Sequence, residues 1–301
     1  MEYTVVTGAS GGLGYSLTKC LIEKGYFVYA VDIAENKFIG IDNVKYLKCD
    51  LKDPKEIEKI KDIIESDNVR IKAIYNLCGI FKMESVIEGS SEDLESIIRI
   101  NFLSMYYVNK YLFNFLDKGS TIINMSSEVA RYSCLPFQSY YTMTKKMVEC
   151  YSDDLRRELN YLGIRVTKIE AGSLNTLMIE KASKEFDNLI SSTKYFEKQL
   201  LKMKFMMDSE LKNTNKVESL VNLLVKIIEK KRVKLIYRYK NSFKLKLLGI
   251  LPERLQDKIF KILVKWSNRK SVTSCYHIVW FIYNFVILYI LWGLKYGKTS
   301  N

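Results

Sequence analysis

Residues 3–14 read Tyr-Thr-Val-Val-Thr-Gly-Ala-Ser-Gly-Gly-Leu-Gly, a β-branched run that leads straight into a glycine-rich loop. The run predicts a buried strand, and the amphipathic pattern over 12–24 predicts the helix that follows. Glycines at such a junction let the backbone approach a pyrophosphate, and free N–H groups at the helix start face the anion. The stretch therefore predicts a dinucleotide site, with loop residues Thr7, Gly8, Ser10, Gly11, Gly12, Leu13 and Gly14.

The rest of the chain repeats this alternation of strand and helix. Short β-branched or aromatic runs lie near residues 3–7, 26–31, 44–48, 71–76, 120–125, 164–169 and 233–238. Helical patterns lie near residues 12–24, 54–66, 91–116, 139–161 and 216–231. The alternation is typical of an α/β protein with a doubly wound parallel sheet, the Rossmann fold, with helices on both faces. Residues 173–215 are polar and weakly periodic, which predicts irregular helices that form a movable cover over a site.

Length and charge divide the chain into a large domain and a basic tail. A single core stops growing at roughly 250–300 residues, so 301 residues suit one sizeable domain with an appendage. Residues 1–180 hold 22 Lys/Arg against 25 Asp/Glu, whereas residues 181–301 hold 25 against nine. The expected division is a dinucleotide-binding catalytic domain over 1–240, a basic amphipathic extension over 241–270 and an apolar C-terminal segment over 271–301.

The lone histidine and the scattered cysteines disfavour several classes of site. His277 lies in an apolar stretch away from any candidate nucleophile, so a Ser-His-Asp or Cys-His hydrolase is not expected. The six cysteines form no C-x-x-C pair, so no metal site is expected. The chain begins without a basic leader or a signal-type apolar run, which predicts a start in the cytoplasm with reduced thiols.

The end of the second predicted strand indicates the coenzyme. Asp32 lies there, eighteen residues after Gly14, where an acidic side chain accepts hydrogen bonds from the adenine-ribose hydroxyls and repels a 2′-phosphate. Neither Gly11 in the loop nor Ile33 after the aspartate offers a cation to that phosphate. NAD is therefore the expected cofactor, and NADP is disfavoured. A plain capping role at the strand end is the alternative for Asp32.

Tyr141 and Lys145 supply the candidate acid/base group. Their spacing of four residues on a predicted helix puts the phenol and the ammonium on one face. A fixed cation beside the phenol is expected to lower its pKa from about 10 toward working pH, where it can exchange a proton with a carbinol or carbonyl oxygen. Ser126 and Ser127 follow the fifth predicted strand at the sheet edge where ligands bind, and one of them is expected to donate to a substrate oxygen.

Polar residues at two other places complete the candidate site. Asn76, Cys78 and Gly79 follow the fourth predicted strand, beside the expected cofactor groove. Asn101 is a polar residue among apolar neighbours on a long predicted helix, and a buried asparagine usually has a hydrogen-bond partner. Both positions are therefore expected to contribute to the site.

Taken in order over roughly residues 1–240, these motifs resemble those of the compact short-chain dehydrogenase/reductases. The family pattern reads T-G-x-x-x-G-x-G, N-N-A-G, a helix asparagine, S-S, Y-x-x-x-K and P-G-x-x-x-T. The resemblance implies that Tyr141 is the acid/base and that Lys145 holds the phenol and the nicotinamide ribose. It also implies that Ser127 donates to the substrate oxygen and that Asn101 holds a water for proton relay. The implied cofactor contacts further include Asp50, Leu51, Asn76, Cys78, Gly79, Gly172 and Thr176.

Departures from the pattern leave alternatives open. Asn76-Leu77-Cys78-Gly79 replaces N-N-A-G, and Ala171-Gly172 replaces P-G. The distance from Ser127 to Tyr141 is one residue longer than expected, so Ser126 remains an alternative donor. The loop glycines also fit T-G-x-x-G-x-x-G of the extended branch, which keeps a nucleotide-sugar epimerase or dehydratase as an alternative. The second alternative function is a membrane-docked module that binds NAD(H) without turnover.

The C-terminal part predicts membrane attachment. Residues 230–270 hold 14 Lys/Arg and two acids among apolar residues, typical of a basic amphipathic helix on an anionic lipid surface. A solvated pair of substrate-covering helices is the alternative. Residues 278–294 are almost wholly apolar and, at about 1.5 Å per residue, approach the short limit for a spanning helix. A helix that joins two soluble subunits is the alternative for this run.

Location and partners follow from these features. The chain is expected at the cytoplasmic face of a membrane, anchored by its C-terminus, because the dense Lys/Arg before the apolar run favours that side. The substrate is then expected to be an apolar small molecule, such as a lipid alcohol or ketone. A homo-oligomer is expected, and a nucleic-acid partner is not.

Overall fold

The computed structural model describes residues 1–132, 134–212 and 214–266, and a parallel sheet of seven strands forms its centre. The strands are β1 (Glu2–Thr7), β2 (Tyr26–Asp32), β3 (Val44–Lys48), β4 (Ile71–Asn76), β5 (Leu116–Met125), β6 (Arg165–Ala171) and β7 (Ile236–Tyr239). They lie in the order β3-β2-β1-β4-β5-β6-β7, and all neighbours are parallel. The predicted α/β fold class is confirmed.

Helices cover both faces of the sheet. In chain order they are α1 (Gly12–Glu23), α2 (Pro54–Ser66), α3 (Ser91–Ile98), α4 (Ser104–Leu112), α5 (Glu128–Arg131), α6 (Ser139–Asn160), α7 (Leu177–Ser192), α8 (Glu197–Lys212), α9 (Glu218–Glu229), α10 (Phe243–Gly249) and α11 (Glu253–Trp266). One apolar core lies between the sheet and helices α1 and α9, and a second lies between the sheet and α2, α4 and α6. The strands are buried on both sides, which explains their nearly continuous apolar sequences.

Local sequence explains why individual helices start where they do. In α2, the Asp53 carboxylate accepts a hydrogen bond from Lys55 N at 2.9 Å, and Pro54 occupies the first helical position. Ile57, Ile60 and Ile64 then recur at helical spacing, and all three are buried against the sheet. The apolar spacing fixes which face of α2 packs inward.

The strand order creates a crevice where β1 and β4 lie side by side. The chain places β2 and β3 on one side of β1 and the later strands on the other, so the connections after β1 and β4 leave in opposite directions. Thr7 at the end of β1 pairs with Asn76, and Asn76 pairs with Asn124 near the end of β5. The segments that follow these three strands therefore meet at one edge of the sheet.

The predicted helix near 91–116 is confirmed in its extent, but its local structure is not a regular α-helix. Helix α3 ends at Ile98, one π-helical turn spans Arg99–Leu103, α4 continues the helix to Leu112, and β5 already begins at Leu116. In the π turn, Ser104 N–H donates to the Arg99 carbonyl five residues back, and the Ser104 hydroxyl donates to Ile100 O at 2.6 Å. Such turns are frequent at functional sites, and this one carries Asn101.

The prediction of irregular helices over 173–215 is also wrong in its local structure. The helices α7 and α8 are regular, with sixteen residues each. They pack on each other and on the segment after β4 through buried side chains, Met83, Phe186, Leu189 and Leu200. Tertiary packing therefore supports helices whose own apolar periodicity is weak.

The C-terminal extension begins against the body of the protein. Ser242 N–H donates to the Glu128 carboxylate at the start of α5, and a Cβ on Gly249 at the end of α10 would lie 2.9 Å from the Tyr132 ring. The extension is two helices, α10 and α11, rather than one basic helix. Their join is fixed by Gln256, whose amide donates to Leu251 O at 2.7 Å.

The membrane prediction for the apolar run falls outside the described ranges. Residues 278–294 belong to the part of the chain that is not described. Among the helices that are described, none is both long enough and apolar enough to cross a membrane.

Candidate functional site

The glycine-rich loop after β1 forms a cradle that side chains would fill. Gly8 has φ +68°, and a Cβ on Gly14 would overlap the Gly8 carbonyl oxygen. Gly11 N donates to Gly8 O at 3.1 Å, which closes the turn. The N-cap of α1 makes no side-chain hydrogen bond, and the first turn has no acidic residue. The start of α1 thus fits a phosphate group, which free N–H groups and the helix dipole favour.

Neighbouring segments form the walls of this cradle. A Cβ on Gly8 would lie 3.0 Å from Cys78 Cα, and Thr7 Oγ1 accepts hydrogen bonds from Leu77 N and Cys78 N at 3.1 and 3.3 Å. On the opposite side, a Cβ on Gly12 would lie 3.4 Å from the Thr176 methyl group. The structure therefore brings together the loop after β1, the exit of β4 and the residues after β6.

Three of the expected cofactor contacts have a packing role and offer no polar side chain to a ligand: Gly172, Leu13 and Leu51. A Cβ on Gly172 would overlap the Lys240 carbonyl oxygen, because the chain after β7 crosses closely there. Leu13 packs against the core under α1, and Leu51 is buried in the core under α2.

Asp32 lies at the end of β2 with both carboxylate oxygens hydrogen-bonded. One oxygen accepts from Ser10 N at 2.8 Å and the other from Ala34 N at 2.9 Å. Asp50 lies after β3. Its carboxylate accepts a hydrogen bond from Lys52 N at 3.0 Å and pairs with the Lys52 ammonium at 3.6 Å. Asp32 is thereby tied to the glycine-rich loop as well as to its own strand end.

Cys78 links the Asp32 end of the groove to the Lys145 end. Burial raises the pKa of its thiol to about 12, with the charge of Asp32 adding to the rise and that of Lys145 opposing it. Because the charges of Asp32 and Lys145 both change the pKa of this thiol, Cys78 lies between the two ends of the groove. The high pKa keeps this thiol protonated, so Cys78 is not a nucleophile here.

Tyr141 and Lys145 lie in the first turns of α6, on the face predicted from their spacing. Lys145 Nζ is 5.6 Å from the centre of the Tyr141 ring and donates to Met125 O at 3.0 Å. A Cβ on Gly79 would lie 3.7 Å from Lys145 Nζ. The ammonium is thus held between the ends of β4 and β5, over the ring of Tyr141.

The pKa of Tyr141 moves in the opposite direction from the expectation. Burial raises it to about 12, a hydrogen bond with Ser127 lowers it, and the Glu128 carboxylate raises it. Burial also lowers the pKa of Lys145 to about 8. The expectation was wrong for the free protein because loss of water around the phenol outweighs its neighbours.

The two serines after β5 have different surroundings. Ser127 begins α5, with its hydroxyl 3.5 Å from Val129 N, and it is the serine that acts on the pKa of the Tyr141 phenol. Ser126 is buried, its N–H donates to Ile169 O at 2.9 Å, and its hydroxyl has no protein partner among the described residues. The geometry favours Ser127 over Ser126 as the residue beside the phenol.

Asn101 and Asn76 use their side chains inside the protein. The Asn101 carboxamide binds both Ile80 N and Ile80 O, at 2.7 and 2.9 Å, and donates to Thr144 Oγ1 at 3.1 Å. The Asn76 amide donates to Asn109 and Asn124 at 2.8 and 2.9 Å and is buried with them. Asn101 therefore joins the exit of β4 to α6, whereas Asn76 fixes the strand end instead of lining the groove.

Two residues that the sequence did not mark as candidates, Phe81 and Glu128, act on Tyr141. The ring of Phe81 is 5.0 Å from that of Tyr141 and packs toward the apolar cluster under α7 and α8. Glu128, buried after Ser127, acts on the Tyr141 phenol through its charge. The acid directly after Ser127 was a visible signal for Glu128, whereas nothing in the local sequence marks Phe81.

Replacing Lys145 by methionine is expected to stabilise the free protein at neutral pH. The unfolded chain holds the lysine proton up to about pH 10.5, whereas the folded chain releases it near 8, so below pH 8 the fold bears the cost of a buried cation. Lys145→Met should gain on the order of 2 kcal/mol at pH 7, after the lost hydrogen bond to Met125 is subtracted. The gain should shrink as pH rises from 8 toward 10.5.

Urea unfolding at pH 7 and pH 10 measures this difference. Lys146→Met on the exposed side of α6 is the control, and it should change stability little at either pH. A wild-type protein more stable than Lys145→Met at pH 7 would contradict the burial cost.

Comparisons with known proteins agree with this arrangement. A family model described as short chain dehydrogenase matches residues 2–187. A 3-amino-tetrahydro-pyrrolizinone reductase from Xenorhabdus hominickii is 29% identical over 74% of this chain and 80% of its own length. An NADPH-dependent 1-acyldihydroxyacetone phosphate reductase from Saccharomyces cerevisiae is 28% identical over 60% of this chain and 63% of its own.

A solved structure shares the fold. A short chain dehydrogenase family protein from Francisella tularensis superimposes with a TM-score of 0.68 at 22% identity. The match covers 79% of this chain and 96% of the other.

Proposed function

This chain belongs to the short-chain dehydrogenase family, and we propose that it interconverts a hydroxyl and a carbonyl group on an apolar, lipid-like substrate, with Tyr141 as general acid/base. The observation that carries the proposal is the grouping of Tyr141, Ser127 and Lys145 beside a phosphate-type loop at one sheet edge. Each of these groups has a chemical task in moving one proton to or from an oxygen.

The chain's own residues fit a nicotinamide dinucleotide. The glycine-rich loop would hold the pyrophosphate, Asp32 the adenine ribose, and Lys145 the second ribose. When bound, the nicotinamide ring supplies the hydride chemistry that no side chain here offers. We propose NAD as the preferred form because Asp32 is an anion at the end of β2, although the Saccharomyces relative is named as NADPH-dependent.

Tyr141 is protonated in the free protein at neutral pH, since its pKa is about 12. The phenol is therefore ready to give a proton to a carbonyl oxygen, and the Ser127 hydroxyl beside it can donate to the same oxygen. In the opposite direction the phenol must first give its proton to solvent water, so that its oxygen can then accept the proton of the substrate hydroxyl. The Lys145 ammonium, 5.6 Å from the ring, stabilises that anion.

The apolar side of Tyr141 supports an apolar substrate. Phe81 lies against the phenol ring, and the buried cluster behind it consists of Met83, Phe186, Leu189 and Leu200, with Phe137, Phe196 and Met203 packed on it. A substrate that enters beside Phe81 would lie on this apolar side, where binding comes mainly from removing apolar surface from water. The Saccharomyces relative is named for a lipid-type substrate, which agrees with this direction.

A screen of lipid alcohols and ketones tests the proposal. Purified protein in detergent is mixed with each compound and with NAD or NADH, and absorbance of NADH is followed. Oxidation or reduction of a long-chain or ring-fused apolar compound is the expected result. Turnover confined to small polar sugars or nucleotide sugars would overturn the substrate class.

We also propose attachment to the cytoplasmic face of a membrane through the C-terminus. Phe243 on α10, Ile250 between α10 and α11, and Ile262 on α11 are exposed among the lysines of this region. Exposed apolar side chains beside cations fit an anionic lipid surface. The apolar run at 278–294 would add the stronger, salt-insensitive part of the binding.

Truncation after Lys270 is expected to separate the two contributions. The shortened chain should bind anionic vesicles at low salt and leave them at high salt, because charges outside the membrane are screened over roughly 8 Å at physiological ionic strength. The full-length chain should stay bound in both. Vesicle sedimentation measures both proteins, with neutral phosphatidylcholine vesicles as the control.

The opposite outcome has a clear meaning. If the full-length chain stays in the soluble fraction without detergent and runs as a discrete dimer, the apolar run is a subunit interface, and the membrane proposal is overturned.

A further inference from the structure

The segment after β2 is fastened to the glycine-rich loop. The Ser10 hydroxyl donates to Glu35 O at 3.3 Å, and Asn36 Oδ1 accepts from Phe38 N at 2.8 Å. Phe38 is buried, with its ring 5.5 Å from that of Tyr15 on α1. Residues 33–38 are therefore held at both ends and do not swing freely beside the loop.

Lys37 reaches across from this segment to the loop. Its ammonium donates to the Ser10 carbonyl at 2.8 Å, and the N–H of the same serine donates to Asp32 at 2.8 Å. The backbone of Ser10 thus contacts the Lys37 ammonium through its carbonyl group and the Asp32 carboxylate through its N–H group. The cation lies at the Asp32 end of the groove, where positions 11 and 33 carry Gly and Ile and supply none.

The charge of Lys37 is not neutralised by a carboxylate. Among the described residues its ammonium makes no ion pair, and the Ser10 carbonyl takes only one of its three N–H donors. Two donors and a full positive charge remain for an anion. By contrast, the neighbouring Lys45 and Lys52 are each paired with an aspartate.

We propose that Lys37 determines coenzyme specificity by binding a phosphate on the 2′-oxygen of the adenine ribose, so that this chain binds NADP as well as NAD. Asp32 favours the free ribose hydroxyl and repels that phosphate, and Lys37 offsets the repulsion. A charge-assisted hydrogen bond from an ammonium to phosphate is stronger than one between neutral groups. The inference rests on the proposed dinucleotide site and concerns only its adenosine end.

Calorimetric dissociation constants for NAD⁺ and NADP⁺ test the inference without any substrate. For Lys37→Ala we expect binding of NADP⁺ to weaken about tenfold and binding of NAD⁺ to change less than about twofold. Lys37→Arg should keep most of the NADP⁺ affinity. Lys24→Ala removes the same charge at the far end of α1 and should alter neither constant.

Salt gives a second readout. The NADP⁺ affinity of the wild type should fall more steeply with ionic strength than the NAD⁺ affinity, and Lys37→Ala should abolish that difference. If Lys37→Ala weakens the binding of both dinucleotides equally, or of neither, Lys37 does not bind the 2′-phosphate and the inference is overturned. The proposed dinucleotide site would not be affected by that result. If the wild type binds neither dinucleotide, the proposed function fails with it.

Discussion

Tyr141→Phe is expected to lower turnover about 10³-fold while leaving NADH binding almost unchanged. The substitution removes one hydroxyl, which is the proposed proton donor, and keeps the ring that packs against Phe81. The loop, Asp32 and Lys145 are untouched, so the groove for the dinucleotide remains. Steady-state rates with the substrate found by screening, together with NADH fluorescence titration, measure the two effects separately.

Tyr140→Phe is the matched control for this prediction. Tyr140 precedes Tyr141 on α6, is buried and donates to Ser90 O at 3.3 Å. Its replacement removes an equivalent hydroxyl, and we expect a stability loss of about 1 kcal/mol with turnover retained. Ordinary turnover by Tyr141→Phe would mean that another group moves the proton.

Gly14→Ala is expected to weaken dinucleotide binding more than about 100-fold and to destabilise the fold by about 3 kcal/mol. The new Cβ would overlap the Gly8 carbonyl oxygen and would also lie 2.8 Å from the Gly8 carbonyl carbon. These are backbone atoms of the loop itself, so no side chain can move aside. Relief requires α1 and the loop to separate, which widens the cradle. Calorimetry with NAD⁺ and urea unfolding measure both losses.

Gly25→Ala separates this effect from backbone strain alone. Gly25 lies just beyond α1 with φ +83°, and nothing lies within 4 Å of a Cβ there. We expect a cost of about 1 kcal/mol and unchanged NAD⁺ binding. Equal binding losses in the two variants would show that helix destabilisation, and not the loop contact, controls the site.

Residues whose positions follow from local sequence patterns, such as β-branched runs and helical spacing, were predicted well. The β-branched runs gave the strands to within a few residues, and parallel strands necessarily bring their carboxyl ends to one edge. The sequence alone therefore predicts that the glycine-rich loop, Asp32, Ser127 and the pair Tyr141 and Lys145 lie near one another. Helical spacing alone put the last two on one face of α6.

Properties that depend on packing could not be predicted in the same way. The direction of the Tyr141 pKa shift depends on how much water the phenol loses, which is set by Phe81 and other distant segments. The role of Asn101 depends on a π turn that interrupts an otherwise ordinary helical pattern. Lys37 was overlooked because its position at the loop follows from the burial of Phe38, a tertiary contact.

The fastening of α10 to both ends of α5 changes where the catalytic unit ends. Glu128 and Tyr132 flank that four-residue helix, and each is held by one end of α10, at Ser242 and Gly249. A helix of one turn has little stability of its own, so its place depends on these outside contacts. A chain cut at residue 240, the boundary that charge and periodicity suggested, would keep the whole sheet yet leave the segment that presents Ser127 without its brace. We therefore expect the smallest unit that holds the site in register to extend past Gly249, so that the extension supports the site in addition to the membrane attachment proposed for it.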